Sequence, residues 1–271
     1  MKKILLLTDF SSNAKTAIDY ALALFEKKTC IFYILHVIDN GSSTSSIKYD
    51  VKNSLSILVD NLRTRNLNIL HTFEGLLLTD TRLTSLSDTV IEKNIDYIFM
   101  GTKGASGLST VLWGSNTVYT IKHMDACPII AVPASYEFSP PQEMVFANDY
   151  KSELRYQDLE PLIAITQLWQ STLVVVHVAS KKGFTDTQKM HRSLLETSLA
   201  SVKNRFVKET VHFSVSSTIR QLREENKNIG LVALIKNKYG FFQKLVRKPI
   251  LRNIAFTTEV PLLVLPPIDK S

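Results

Sequence analysis

The sequence repeats itself. KILLLTD, from Lys3 to Asp9, is a short apolar run ending in an aspartate; a helical pattern follows, then CIFYILHV at 30–37. In the second half MVFAND, from Met144 to Asp149, is followed by a helical pattern and by STLVVVHV at 171–178. The aspartate-to-histidine spacing is 27 residues from Asp9 to His36 and 28 from Asp149 to His177. Later, ACPIIAVP at 126–133 is answered by EVPLLVLP at 259–266. Four landmarks in one order at nearly one spacing mean internal duplication. A chain of 271 residues suits two domains of about 135. The join is ASYEFSPPQE at 134–143, which has two prolines and no periodicity and reads as a linker. The expected boundaries are 1–135 and 143–268.

Within the first half the pattern alternates. Strands are expected near 3–8, 30–37, 69–74, 96–100 and 128–132, and helices near 12–26, 48–65, 83–93 and 114–124. The strand runs are almost continuously apolar, as in strands buried on both faces. Alternation of this kind predicts an α/β fold: two tandem open five-stranded parallel-sheet domains with helices on both faces. Ligands in such sheets sit beyond the carboxyl ends of the strands, where strand order reverses.

One stretch lies at that edge. MGTKGASGLSTVLWGSNT, residues 100–117, holds Gly101, Gly104, Gly107 and Gly114, four of the nine glycines in the chain. It leaves the fourth strand and runs into a helical pattern that Ser115 is placed to cap. A helix N-terminus with glycines before it suits a phosphate: backbone N–H groups are unpaired, positive φ is accessible and an anion can approach closely. A glycine-rich turn without a ligand accounts for the same residues. The stretch is not a Walker loop, because no Gly-Lys-Ser/Thr ends it, and it is not the dinucleotide fingerprint of a first strand.

The spacing Gly101-x2-Gly104-x9-Gly114-Ser115 resembles the nucleotide-binding signature of the universal stress protein family. LLLTDFSSNAKTAIDYAL at the start, LHVIDN after the second strand and CPIIAVP at the end resemble the same family. The resemblance covers residues 1–135, and the second half resembles the family more faintly, so the chain looks like a tandem universal stress protein with the family's nucleotide-binding α-hydrolase-like fold. It implies an adenine nucleotide, ATP or a relative, with or without Mg. Asp9, beside Thr8, would lie near the ribose and phosphates and could hold a metal bridged to them. Val37 would meet the adenine through its backbone and Met100 would lie beneath the base. Gly101, Gly104, Gly114 and Ser115 would line the phosphates, with Asn116 and Thr117 at the helix start. Leu7 departs from the proline or alanine of several members. Lys103 could reach a phosphate or be a solvated loop lysine.

The second half departs sharply. Lys236 and Tyr239 stand in the positions of Gly101 and Gly104, and RKPILRN replaces the Gly-Ser before the last helix. The phosphate site is therefore expected in the first half alone. Residues 236–252 carry Lys236, Lys238, Lys244, Arg247, Lys248 and Arg252 without an acidic residue. They read either as a solvated loop and helix or as a docking surface for an acidic partner or a membrane headgroup.

Charge bears out that asymmetry. Residues 1–137 hold 13 Lys+Arg and 13 Asp+Glu; residues 138–271 hold 19 and 12, so the whole net +7 lies in the second half. That argues against a chain coating nucleic acid along its length. No apolar run approaches the roughly 18 residues of a membrane span. The N-terminus reads as a first strand rather than a signal peptide, so a cytoplasmic location is expected. Cys30 and Cys127 sit in apolar runs and read as buried free thiols. The six histidines form no metal-ligand spacing, and His36 and His177 read as structural. No catalytic residue is assigned. The leading expectation is a nucleotide-dependent regulatory module acting in a stress response. A weak ATPase or adenylate-using enzyme stays open, as does a small-molecule-binding module without nucleotide.

PIIAVP and PLLVLP would be apolar edge strands, which need cover. The resemblance implies that such strands meet across a dimer interface, so the halves are expected to pair as a pseudo-dimer, with a further homodimer left open. A linker of about ten residues keeps them at roughly millimolar effective concentration. NMR relaxation should then give both halves one rotational correlation time; independent tumbling would count against the pairing.

Overall fold

The computed structural model of the protein describes residues 1–38, 45–79, 83–102, 114–177, 183–207, 224, 226–236 and 260–267. Two compact units emerge, the first reaching Phe138 and the second taking up at Ser139.

The first unit runs β1 (Lys2–Leu7), α1 (Ser12–Leu24), β2 (Cys30–Val37), α2 (Ser45–Arg65), β3 (His71–Leu78), α3 (Leu83–Lys93), β4 (Tyr97–Gly101), α4 (Ser115–His123) and β5 (Ile129–Val132). Its strands lie in the order β3-β2-β1-β4-β5, all parallel. The chain winds outward from β1 to β3, then returns to place β4 on the other side of β1. Strand order therefore reverses between β1 and β4, and the carboxyl edge there is the natural crevice of the fold.

Sequence explains why the strands hold these places. Ile4, Leu5 and Leu6 of β1 and Tyr97 to Met100 of β4 are buried without alternation, as central strands covered on both faces must be. The edge strand β3 alternates at its start, with His71 and Phe73 buried and Thr72 and Glu74 exposed. Helix α1 turns Ala14, Ala17, Ile18, Ala21 and Leu24 to one side, a stripe at helical spacing, and lies against β1, β4 and β5. Its start is fixed by Ser11, whose hydroxyl accepts the Ala14 N–H at 3.2 Å.

Expectation and structure differ at β3, which runs from 71 to 78 rather than 69 to 74. Glu74 and Gly75 look like a strand end in sequence. In the fold β3 stays paired with β2 as far as Leu78 beside Val37. Gly75 is where α2 comes closest: a Cβ there would meet Val59 at 3.3 Å and Leu55 at 3.4 Å.

The second unit holds β6 (Glu143–Asn148), α5 (Tyr156–Trp169), β7 (Thr172–His177), α6 (Asp186–Ser198), β8 (Asn204–Val207), β9 (Ile229–Ile235) and β10 (Leu262–Leu265). Its strands lie in the order β8-β7-β6-β9-β10, again all parallel. This is the winding of the first unit, strand for strand, so the duplication read from four landmarks extends to the topology.

The start of the join is anchored: Tyr136 and Phe138 each stand edge-on to Tyr20 of α1, with ring centroids 5.6 Å away. Cys30 and Cys127 are buried and free. Burial pushes the Cys30 thiol up to about 11 and the Cys127 thiol higher still, so both stay protonated at neutral pH. Among the described residues no helix is long and apolar enough to cross a membrane.

Candidate functional site

The carboxyl edge of the first unit is built from the turn after β1. Thr8 is buried, and its Oγ1 accepts the Phe10 N–H at 3.0 Å while Asp9 Oδ1 accepts the Ser11 N–H at 3.0 Å. Two successive side chains thus satisfy the backbone of the turn that leads into α1. The turn carries Phe10 at φ 62°, a left-handed conformation unusual for a side chain with a ring. Phe10 stacks on His36 of β2, with centroids 4.6 Å apart and planes 27° apart. His36 Nδ1 lies 2.8 Å from the Thr8 carbonyl oxygen. A carbonyl only accepts, so Nδ1 carries the proton and the ring is locked across the ends of β1 and β2.

The other side of the crevice is made by β4, β5 and α4. Gly101 closes β4 and packs against Asn13 of α1: a Cβ on Gly101 would lie 2.6 Å from Asn13 Cγ and 2.7 Å from its Oδ1. Asn13 is buried and its Nδ2 donates to the Val132 carbonyl at 3.2 Å. The Thr102 N–H donates to the same carbonyl at 3.0 Å, and the Gly114 N–H donates to the Thr102 carbonyl at 2.7 Å. Thr117 Oγ1 donates to the Gly101 carbonyl at 2.9 Å. The ends of β4 and β5 and the starts of α1 and α4 are therefore tied to one another.

Two expectations need correction here. Ser115 does not cap α4; Gly114 is the N-cap, with φ −60° and ψ 149°, and Ser115 is the first helical residue. Residue preference favoured the serine, but the cap is set by where the chain leaves extended geometry, and that is one residue earlier. Positive φ is not what Gly101 and Gly114 supply either, since Gly114 is extended and Gly101 is absent from the positive-φ glycines, while Gly104 and Gly107 lie outside the described residues. Gly101 supplies room beside Asn13. Gly114 leaves the first turn of α4 with no side-chain cap, in contrast to α1 and α6, which are capped by Ser11 and Thr185. The first amide N–H groups of a helix have no partner within it, and among the described residues no side-chain cap takes them.

The predicted residues sort as follows. Asp9, Val37, Ser115 and Asn116 are exposed at the carboxyl ends of β1 and β2 and at the start of α4. Gly101 and Gly114 stand between them, half-buried. Met100 is buried within β4. Thr8 and Thr117 are buried, and their hydroxyls serve the Phe10 N–H and the Gly101 carbonyl. Lys103 and Gly104 lie outside the described residues, as do residues 237–252 of the basic segment. Among the described residues no three His, Cys, Asp or Glu side chains gather as a metal site. Sequence reasoning passed over Asn13, Phe10 and the role of His36. The last two had a signal: TDF with LHV in the first half matches NDY with VHV in the second.

The second unit repeats the turn with different atoms. Asn148 Oδ1 accepts the Tyr150 N–H at 2.6 Å and Asp149 Oδ1 accepts the Lys151 N–H at 3.1 Å. Tyr150 sits at φ 54° and stacks on His177, with centroids 4.8 Å and planes 1° apart. His177 is buried, and burial lowers its pKa below the ordinary imidazole range. The Asp149 of this turn is thus a turn residue in the same sense as Asp9.

Comparison with known proteins agrees with this architecture. Residues 1–133 match the model of the universal stress protein family. Across both units the chain is similar in fold to the crystal structure of a universal stress protein from Archaeoglobus fulgidus DSM 4304, with a TM-score of 0.74 at 15% identity, covering 99% of this chain and 97% of that one. A functionally unknown protein from Pseudomonas aeruginosa PAO1 gives 0.61 at 13% identity, covering 98% and 93%. The cytoplasmic domain of a prokaryotic cation chloride cotransporter gives 0.56 at 10% identity, covering 98% and 95%. No curated protein matches the chain.

Proposed function

The chain belongs to the universal stress protein family through residues 1–133, and from that premise we propose that its first unit binds an adenine nucleotide, ATP or a close relative, at the carboxyl edge between β1 and β4. The observation that carries the reading is the start of α4. Its amide N–H groups are left without a side-chain cap at the point where strand order reverses. Such a terminus offers partial positive charge and unpaired donors, which fit a phosphate. Ser115 and Asn116 add exposed polar side chains beside it. Gly114, at the N-cap itself, carries no side chain, and Gly101 lets the end of β4 pack against Asn13 beside it. Exposed Asp9 stands across the crevice, where it would hold Mg through the phosphates or bond the ribose.

The bound nucleotide acts, on this reading, as a signal that partners recognise. The role in a stress response and the cytoplasmic location come from the family alone. Titration calorimetry with ATP and with ADP tests it. One site per chain is expected, because the second half lacks the glycine spacing. Two equivalent sites, or no heat beyond dilution for either nucleotide, would overturn the reading.

A further inference from the structure

Each unit stacks a turn residue on a strand histidine, but the two histidines are held differently. In the first unit His36 is half-buried and its Nδ1 donates to the Thr8 carbonyl at 2.8 Å. In the second, His177 is 5% exposed, and among the described residues neither of its ring nitrogens has a hydrogen-bond partner. A buried polar group without a partner costs stability, so its surroundings must keep water out. Rings do so here. Tyr150 lies parallel to His177 at 4.8 Å, and Phe184 crosses both, 4.6 Å from His177 at 71° and 5.6 Å from Tyr150 at 72°.

Phe184 belongs to a cover that the second unit lays over its own turn. Gly183 precedes it at φ 90°, exposed, with open space where a Cβ would stand. Thr185 follows as the N-cap of α6, its hydroxyl accepting the Gln188 N–H at 3.2 Å. Two bonds tie α6 to the turn: Gln188 Nε2 donates to the Asp149 carbonyl at 2.9 Å, and His191 Nδ1 donates to the Tyr150 carbonyl at 3.0 Å. The cover is thus one ring and two hydrogen bonds, next to a glycine whose backbone can turn freely.

The charged groups that act on His177 are Asp149 of the turn and Arg192 of α6. Asp149 lies 3.9 Å from Lys151, and Arg192 is bonded to Glu196 at 3.1 Å with its guanidinium 6.0 Å from the Phe184 ring. Burial is the largest influence on the imidazole and disfavours the cation; the Asn148 backbone and the Asp149 carboxylate oppose it, and Arg192 adds to it. We propose that the carboxyl edge of the second unit is an acid-sensitive latch: Phe184 and the first turns of α6 lie on the Tyr150 turn while His177 is neutral, and lift from it when His177 becomes a cation. The cation has two N–H donors that need acceptors, and lifting the cover admits water to both. The closed form is fully favoured above the ordinary imidazole value of about 6.5. It is lost as pH falls through the lower value of the buried ring.

Amide hydrogen exchange of the full chain at pH 7.5 and 5.5, corrected for intrinsic rates, reads the latch. This window leaves ordinary carboxylates ionised. Amides of residues 186–192 should lose about five- to tenfold in protection at pH 5.5, while those of α5 hold theirs. His177→Phe keeps a ring without a charge and should abolish the loss. His191→Asn keeps a donor for the Tyr150 carbonyl and should leave the loss unchanged. Unchanged protection of 186–192 in the wild type overturns the latch, as does an equal loss in α5, which would mean opening of the whole unit. A loss that persists in folded His177→Phe, or that vanishes in His191→Asn, assigns the titration elsewhere and also overturns it. NMR titration of the His177 ring in the wild type keeps the test decisive if His177→Phe does not fold: a midpoint at or above about 6.5 overturns the latch, and a lower one that coincides with the loss of protection supports it.

Discussion

Gly101→Ala should lower the melting temperature by roughly 4–8 °C, about 2 kcal/mol for a unit of this size, and should remove nucleotide binding with it. The cause is local. The new Cβ would sit 2.6 to 2.9 Å from Cγ, Oδ1 and Nδ2 of Asn13, nearer than a real Cβ approaches any neighbour. Neither partner can retreat easily. Asn13 is 4% exposed, and its amide is held by the Val132 carbonyl. The Gly101 carbonyl holds the Thr117 hydroxyl, and Thr102 is bonded through both its N–H and its carbonyl. Relief therefore shifts β4 or the start of α4, and either shift moves the proposed phosphate donors. Asn13→Ala removes the three clashing atoms at the cost of their own bonds. In the double variant the two losses should fall short of their sum by about 1 kcal/mol or more, as expected for residues in contact. Strict additivity in chemical denaturation would show that Asn13 is not what excludes the side chain.

Much of this arrangement was legible before the fold was seen, for a physical reason. Parallel strands buried on both faces cannot alternate, so β1, β2, β4 and β5 appear as apolar runs, and the duplicated landmarks fall where strands end. The start of α4 was found because glycine clusters are rare in this chain. What escaped lies where backbone geometry overrides residue preference. The extension of β3 beyond Glu74 and Gly75 depends on pairing with β2 and on the closeness of α2, neither of which a local pattern contains. The cap at Gly114 instead of Ser115 depends on one pair of backbone angles. The stacking of Phe10 on His36 joins residues 26 apart through a turn with positive φ. Phenylalanine is a poor indicator of such a turn. The Asn13 contact is hidden for a related reason. Asparagine in the first turn of a helix reads as a solvated polar residue, yet here it is buried against a glycine that precedes α4 by 14 residues.

Gly114→Asp should move stability and binding in opposite directions. The N-cap position has extended angles, φ −60° and ψ 149°, which aspartate adopts without strain. Its carboxylate can accept the N–H groups of the first turn of α4, which now receive no side-chain cap. A good N-cap contributes about 1 kcal/mol, and a negative charge at the positive end of the dipole adds a few tenths more. The melting temperature should rise by roughly 2–4 °C. The same carboxylate takes the donors that the proposed phosphate requires and places like charge beside it. Two unit charges about 4 Å apart repel by about 4 kcal/mol at a surface dielectric near 20, so affinity for ATP should fall at least about a hundredfold. Gly114→Ala separates the two causes, since it removes the glycine without supplying an acceptor or a charge. A stabilised Gly114→Asp protein that still binds ATP at wild-type affinity would mean that the start of α4 holds no phosphate. A destabilised one would mean that its amides are already satisfied.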